Sequence, residues 1–225
     1  VACAGALLGS VYPELALRVI NMGVSGNQTR DLIARWQTDV MDLHPDWVCM
    51  LIGINDVWRR FDQPQMPETH VLPDEYARNC ESLIQRTLPH VKGMVLMTPY
   101  FMEPNQSDPM RARMDEYGAV IRDLAAKYRL PCIDLQAAWD GLFQHMHPCN
   151  IAWDRVHPNQ TGCMFIARQL LNGVGLDWNH CAESKKKGVI KSLSKPINCS
   201  GFFMLFLRHS RFICASSTIC CAITF

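Results

Sequence analysis

The residues best suited to chemistry lie in one short run, Asp154-Arg155-Val156-His157-Pro158. An aspartate three residues ahead of a histidine can fold back so that its carboxylate holds the imidazole Nδ1–H. Nε2 is then free to take a proton from a nucleophile. The run also has a plainer use as a helix-entry loop, with Asn159 as the cap. Spacing alone does not choose between the two.

Two further stretches carry polar groups where a ligand crevice would need them. In "LIGINDVW", Asn55 follows an apolar run and can aim its side-chain N–H₂ at a developing oxyanion. The alternative is that Asn55 and Asp56 cap the next segment through their own backbone. In "NMGVSGNQT", Gly26 lets the backbone approach a ligand closely and present its N–H, unless it only makes a tight turn before a helix starting near Thr29. Ser25 beside it is followed at once by Gly26 and Asn27, so it lacks the G-x-S-x-G setting of a nucleophile elbow. Ser10, on the first helix, is no better placed.

These groups need a scaffold, and hydrophobic periodicity supplies one. The chain opens in a helix that ends near Tyr12-Pro13, and 15–21 then reads as a short strand. Leu32, Trp36, Val40 and Leu43 recur at three- and four-residue spacing, the mark of an amphipathic helix. Residues 46–53 form a continuous apolar run bounded by Pro45 and Gly53, as expected of a strand buried on both faces. Tyr76, Cys80, Leu83, Ile84 and Leu88 predict the next helix, 93–99 another buried strand, and Met114, Tyr117, Ile121 and Leu124 the helix after it. A short strand over 131–135, a helix at "AAWDGLFQHM" and a last helix after Asn159 complete the series. Strands alternating with helices predict an α/β fold with a parallel sheet covered on both faces, and ligands bind beyond the carboxyl ends of such strands.

Charge divides the chain. Residues 1–178 carry 15 Lys+Arg against 20 Asp+Glu, and residues 179–225 carry 7 against 1. The acidic body gives no reason to expect nucleic-acid binding. We therefore read residues 1–178 as the domain and residues 179–225 as a basic, cysteine-rich, apolar tail. Arg208, His209 and Arg211 interrupt the apolar part of that tail, which makes it a poor bilayer span of about 20 residues, so no membrane partner is expected. The eleven cysteines form no C-x-x-C pair, and those of the body read as reduced structural thiols. His145, His147 and Cys149 make an H-x-H-x-C without further ligands, so no metal site is expected. The compartment stays open, with the cytoplasm favoured because no signal peptide is visible.

Taken together and in this order, the three blocks resemble the SGNH hydrolases, or GDSL esterases, over residues 1–178. "YPEL", "LRVIN", "GVSGN", "IGINDVWR", "DPMR" and "AWDRVHPN" are similar to the serine acetylxylan esterases of that fold. The resemblance implies a flavodoxin-like three-layer α/β/α architecture and a carboxylic ester hydrolase that deacetylates xylan or xylo-oligosaccharides without a cofactor. It makes Gly26 and Asn55 the oxyanion donors, His157 the general base and Asp154 its orienting partner. Trp153 falls where a tryptophan lines the site, against core packing as the alternative. A homo-oligomer is left open.

One part of the pattern is missing. No Gly-Asp-Ser occurs in the chain, which opens with Val1 inside the helix expected to follow that block. The expectation is that about 30 residues, including the first strand and the nucleophilic serine, are absent. The chain would then be inactive, with a carbohydrate-binding or scaffold protein and a truncated gene product as alternatives. The apolar tail could fill the strand's place, for example with Phe202–Leu207, or could be an abnormal end.

Overall fold

The structure, a computed structural model, describes residues 1–180 and the backbone of residues 211–216. The alternation read from the sequence is present. Helix α1 (Ala2–Val11) leads to strand β1 (Arg18–Asn21), helix α2 (Thr29–Asp39) and strand β2 (Trp47–Leu51). Helices α3 (Ile54–Asp62) and α4 (Pro73–Thr87) precede β3 (Gly93–Met97), and α5 (Pro109–Tyr128) precedes β4 (Cys132–Ile133). Helices α6 (Leu135–Leu142) and α7 (Gln160–Gly173) follow, and strand β5 (Arg211–Ser216) comes from the tail.

All sheet pairings are parallel, and the strand order is β1-β5-β2-β3-β4. A parallel strand with neighbours on both sides is shielded on both faces, and every residue of β2 is buried. Its side chains alternate between two cores. Val48 and Met50 face one core, shared with Leu32 and Trp36 of α2, Leu83 and Ile84 of α4, and Met114 and Ile121 of α5. Trp47, Cys49 and Leu51 face the other, shared with Leu8 of α1, Trp139 of α6 and Leu171 of α7. The result is the expected three-layer α/β/α arrangement. The six cysteines of residues 1–178 carry reduced thiols, four of them buried. Among the described residues no helix is long and apolar enough to cross a membrane.

Two features differ from expectation. Helix α3 was not read from the sequence, although Ile54, Val57, Trp58 and Phe61 recur at the spacing of one helical face. The second concerns the place left for a missing first strand. Between β1 and β2 lies β5: Arg18 aligns with Arg211, and Trp47 with Phe212. The segment suggested for that role, Phe202–Leu207, lies outside the described residues. Counting β5 as the first strand, the order reads 2-1-3-4-5, the flavodoxin-like order of doubly wound sheets.

Candidate active site

The loop after β1 is held from several directions. Gly26 has φ 81°, in the left-handed region where a Cβ is penalised, although one added there would meet nothing within 4 Å. The glycine is therefore required by the backbone and not by crowding. Arg35, on α2, reaches back with Nε to Asn27 Oδ1 (2.8 Å) and with Nη1 to Met22 O (2.9 Å). Gln28 caps α2 in a reciprocal box in which its N–H donates to Asp31 Oδ2 at 2.7 Å. Its Nε2 donates to Thr69 O (2.8 Å) and Asn55 O (3.3 Å), tying this loop to the next one.

That next loop follows β2. Gly53 has φ 131°, and a Cβ there would lie 2.8 Å from Tyr76 Oη and 2.9 Å from Pro99 Cβ, so this sharp entry to α3 excludes larger residues. Asn55 and Asp56 then fall inside the first turn of α3, which has no side-chain cap. The capping role considered for them is not what the structure has. Asn55 is only 4% exposed, and its Nδ2 donates to Asn27 O at 3.0 Å. That bond uses one of the two N–H groups of the amide and fixes the direction of the other.

Asp56, considered from the sequence only as a cap, is the buried anchor beneath Asn55. Its Oδ1 accepts from Thr29 N (3.0 Å) and Thr29 Oγ1 (2.6 Å), while Asn79 Nδ2 donates to that hydroxyl oxygen at 3.1 Å. Its Oδ2 is buried without a hydrogen-bond partner among the described residues. Burial pushes the carboxyl up to about 6, against the opposing pull of the two Thr29 bonds. The helix starts of α2 and α3 are thus joined through one carboxylate.

The third loop carries Asp154 and His157. Asp154 Oδ1 accepts the N–H groups of Val156 (3.0 Å) and His157 (2.8 Å), and Oδ2 pairs with His157 Nδ1. Burial works to raise the Asp154 pKa, but the bonds from His157 and Val156 outweigh it and hold the carboxyl below its ordinary value. Between the two, Arg155 sits at φ 63°, which lets the chain double back. Arg155 is anchored by Glu103 and by Phe101, whose ring centroid lies 5.0 Å from the guanidinium carbon. Its carbonyl accepts from Met102 N at 2.9 Å, placing the loop beside the segment that follows β3. Asn159 caps α7 by accepting from Gly162 N at 3.1 Å, so the capping role and the Asp154–His157 pair coexist.

The structure therefore brings the expected residues into two pairs. Gly26 and Asn55 are linked through Asn27; Asp154 and His157 are bonded directly. The pairs meet through α3, where Trp58, one turn after Asn55, packs edge-on against the His157 ring at 5.6 Å. Trp153 stands apart at 86% exposure, which removes the core-packing alternative. Of the residues not foreseen, Gln28 had a signal in its Q-x-x-D box, and Asp56 had only its position beside Asn55.

Comparison with known proteins gives this geometry its context. Residues 4–163 match the GDSL-like lipase/acylhydrolase family. An acetylxylan esterase of Geobacillus stearothermophilus is 49% identical over 172 residues, 76% of this chain and 78% of that protein. Its crystal structure superposes with a TM-score of 0.77 at 48% identity, covering 79% of this chain and 81% of that one. An α/β hydrolase from the metagenome of Lake Arreo, Spain, superposes with a TM-score of 0.76 at 52% identity, covering 77% and 79%. Solved catalytic mutants of the Geobacillus esterase replace an aspartate, a histidine three positions further on, or a serine near its start by alanine. Another mutant replaces the tryptophan just before that aspartate. The match spans both halves of the site and most of the sheet, and it makes this chain a member of the GDSL-like lipase/acylhydrolase family, a family of serine ester hydrolases.

Proposed function

We propose that this chain is a carboxylic ester hydrolase that removes acetyl groups from xylan or xylo-oligosaccharides. The observation that carries the reading is the Asp154–His157 pair, which engages Nδ1 and leaves Nε2 to take a proton, on a ring that packs against Trp58 of the helix that carries Asn55. Asp154, ionised at neutral pH, fixes the imidazole tautomer and stabilises the imidazolium formed when His157 takes a proton. The second N–H of the Asn55 amide and the Gly26 N–H are the donors for the tetrahedral oxyanion. Trp153 offers an indole face to a pyranose ring, as its exposure and its place just before Asp154 support. Attack by a hydroxyl gives an acetyl-enzyme, which water cleaves to acetate with His157 again as base. No cofactor takes part.

The test is His157→Ala, assayed with p-nitrophenyl acetate and with acetylated xylo-oligosaccharide. Turnover should fall by at least about 10³-fold without a change in melting temperature. The exposed indole of Trp153 is also compatible with a second reading, a carbohydrate-binding protein without catalysis. If His157→Ala leaves a weak hydrolysis unchanged while xylo-oligosaccharide still binds, that second reading is the right one.

A further inference from the structure

The loop between β1 and α2 carries the Gly26 N–H, one of the two proposed oxyanion donors, yet residues 24–26 are exposed, so burial does not fix them. Two of its hydrogen bonds are local. Asn27 N donates to Val24 O at 3.3 Å, and Gly23 N donates to Asn21 Oδ1 at 3.1 Å. A loop held only in this way would let Gly26 drift, and a donor that drifts cannot be aimed at a developing charge before the reaction begins.

The longer-range hold comes from one side chain on α2. Arg35 lies in the second turn of that helix, about 9 Å along the axis from Thr29. Helical Cα–Cβ bonds tilt toward the N-terminus, so its side chain runs back to the loop. Nε donates to Asn27 Oδ1 (2.8 Å), and Nη1 donates to Met22 O (2.9 Å) and to Asp39 Oδ2 (2.7 Å). One planar guanidinium thus grips the loop both where it leaves β1 and where it enters α2, and sets the separation of its two ends. Asn27 carries this hold onward. Gly26 precedes it in the chain, and its carbonyl accepts from Asn55 Nδ2 at 3.0 Å.

We propose that Arg35 is a positioning residue of the ester hydrolase: through Asn27 it holds the Gly26 N–H and the Asn55 amide at the spacing a tetrahedral oxyanion requires. This inference rests on the functional reading above. Asp39, one turn further along α2, balances the guanidinium charge, so the contribution of Arg35 is geometric. A lysine there could keep the Asp39 pair, but without the planar fork it cannot hold Met22 O and Asn27 Oδ1 in the same fixed arrangement. Displaced donors weaken binding of the transition state more than binding of the substrate, so the loss should fall on kcat.

Four variants of the full chain separate this role from a merely structural one: Arg35→Lys, Asn27→Ala, the two combined, and Asp39→Asn. Each is assayed on p-nitrophenyl acetate, with melting temperatures alongside. Arg35→Lys and Asn27→Ala should each lower kcat by about 10- to 100-fold and leave KM within about twofold of wild type. The combined variant should lose little more than the more damaged single variant, because both changes break the same link, whereas independent effects would multiply. Asp39→Asn removes the counter-ion but not the grip on the loop, and should keep kcat within about twofold of wild type. Wild-type kcat in Arg35→Lys, losses that multiply in the combined variant, or an equal loss in Asp39→Asn overturns the positioning role. The ester hydrolase reading then still stands on hydrolysis that His157→Ala abolishes. Should Arg35→Lys fail to fold, Asn27→Ala decides: a wild-type kcat there overturns the positioning role by itself. Absence of any His157-dependent hydrolysis overturns both.

Discussion

The two halves of the site are built in opposite ways. Asn55, Asp56 and Thr29 belong to helix starts that are buried and cross-bonded, and Asp56 is 1% exposed. Asp154, His157 and Trp153 belong to a loop that is pinned mainly by its own hydrogen bonds and by Arg155, and Trp153 is 86% exposed. A group that stabilises developing charge gains most when it is fixed in a water-poor setting before the reaction begins. The base and the sugar platform proposed for His157 and Trp153 need access, the one to a departing group and the other to the substrate. The difference teaches that substitutions in the buried half should disturb folding and rate together, and those in the open half rate or binding alone.

That contrast can be broken in several places. Outside the Asp154–His157 pair, the largest effect is expected at Asn55. Asn55→Ala removes the proposed transition-state donor and should lower kcat for p-nitrophenyl acetate by about 10²–10³-fold. It also leaves Asn27 O without its 3.0 Å partner, so the melting temperature should fall as well. A loss below tenfold with unchanged melting would remove Asn55 from the oxyanion site.

Asp56 tests the buried half through pH. Below about pH 4 the carboxyl is protonated in folded and unfolded chains alike. Between there and about 6 the unfolded chain ionises while the folded one keeps its proton, and above about 6 the folded chain carries a buried charge. The stability this group contributes is therefore fully present below about pH 4 and lost as pH rises through about 6. Asp56→Asn keeps an oxygen to accept from Thr29 and has no such dependence. Relative to it, wild type should lose on the order of 3 kcal/mol between pH 4 and 7, read from urea midpoints. Parallel curves for the two proteins would mean that Asp56 is not buried as a lone acid.

The smallest effect belongs to Trp153, at the exposed edge of the open half. Trp153→Ala should raise KM for acetylated xylo-oligosaccharide by about two- to tenfold, the worth of one aromatic contact, and leave p-nitrophenyl acetate hydrolysis and melting unchanged. A drop in melting temperature would show that Trp153 supports its loop, and would blur the division drawn above.

The sequence disclosed the framework well where burial imposes a period. Leu32 and Trp36 on α2, Cys80 and Leu83 on α4, and the unbroken run of β2 all face the cores they were expected to face. Single motifs were ambiguous by themselves, and their order along the chain made them informative. Asp56 was illegible because its significance lies in what it touches: Thr29 is 27 residues away, and no local pattern reports such a bond. Strand β5 was illegible for a related reason. "RFICAS" has no alternation that marks it as central, and only the sheet, with a place open between β1 and β2, gives the segment a role.

The position of β5 also orders events in time. Arg18 pairs with Arg211 and Trp47 with Phe212, so the strand at the middle of the sheet is the last of the five to emerge during synthesis. Pairings between residues so far apart in sequence are slow to form, because the entropy of closing the intervening loop is lost before any contact is gained. Until residue 216 has left the ribosome, β1 and β2 expose unpaired backbone edges that can recruit strands from other chains. A nascent chain of this protein should therefore depend on chaperones for longer than one whose central strand is made first.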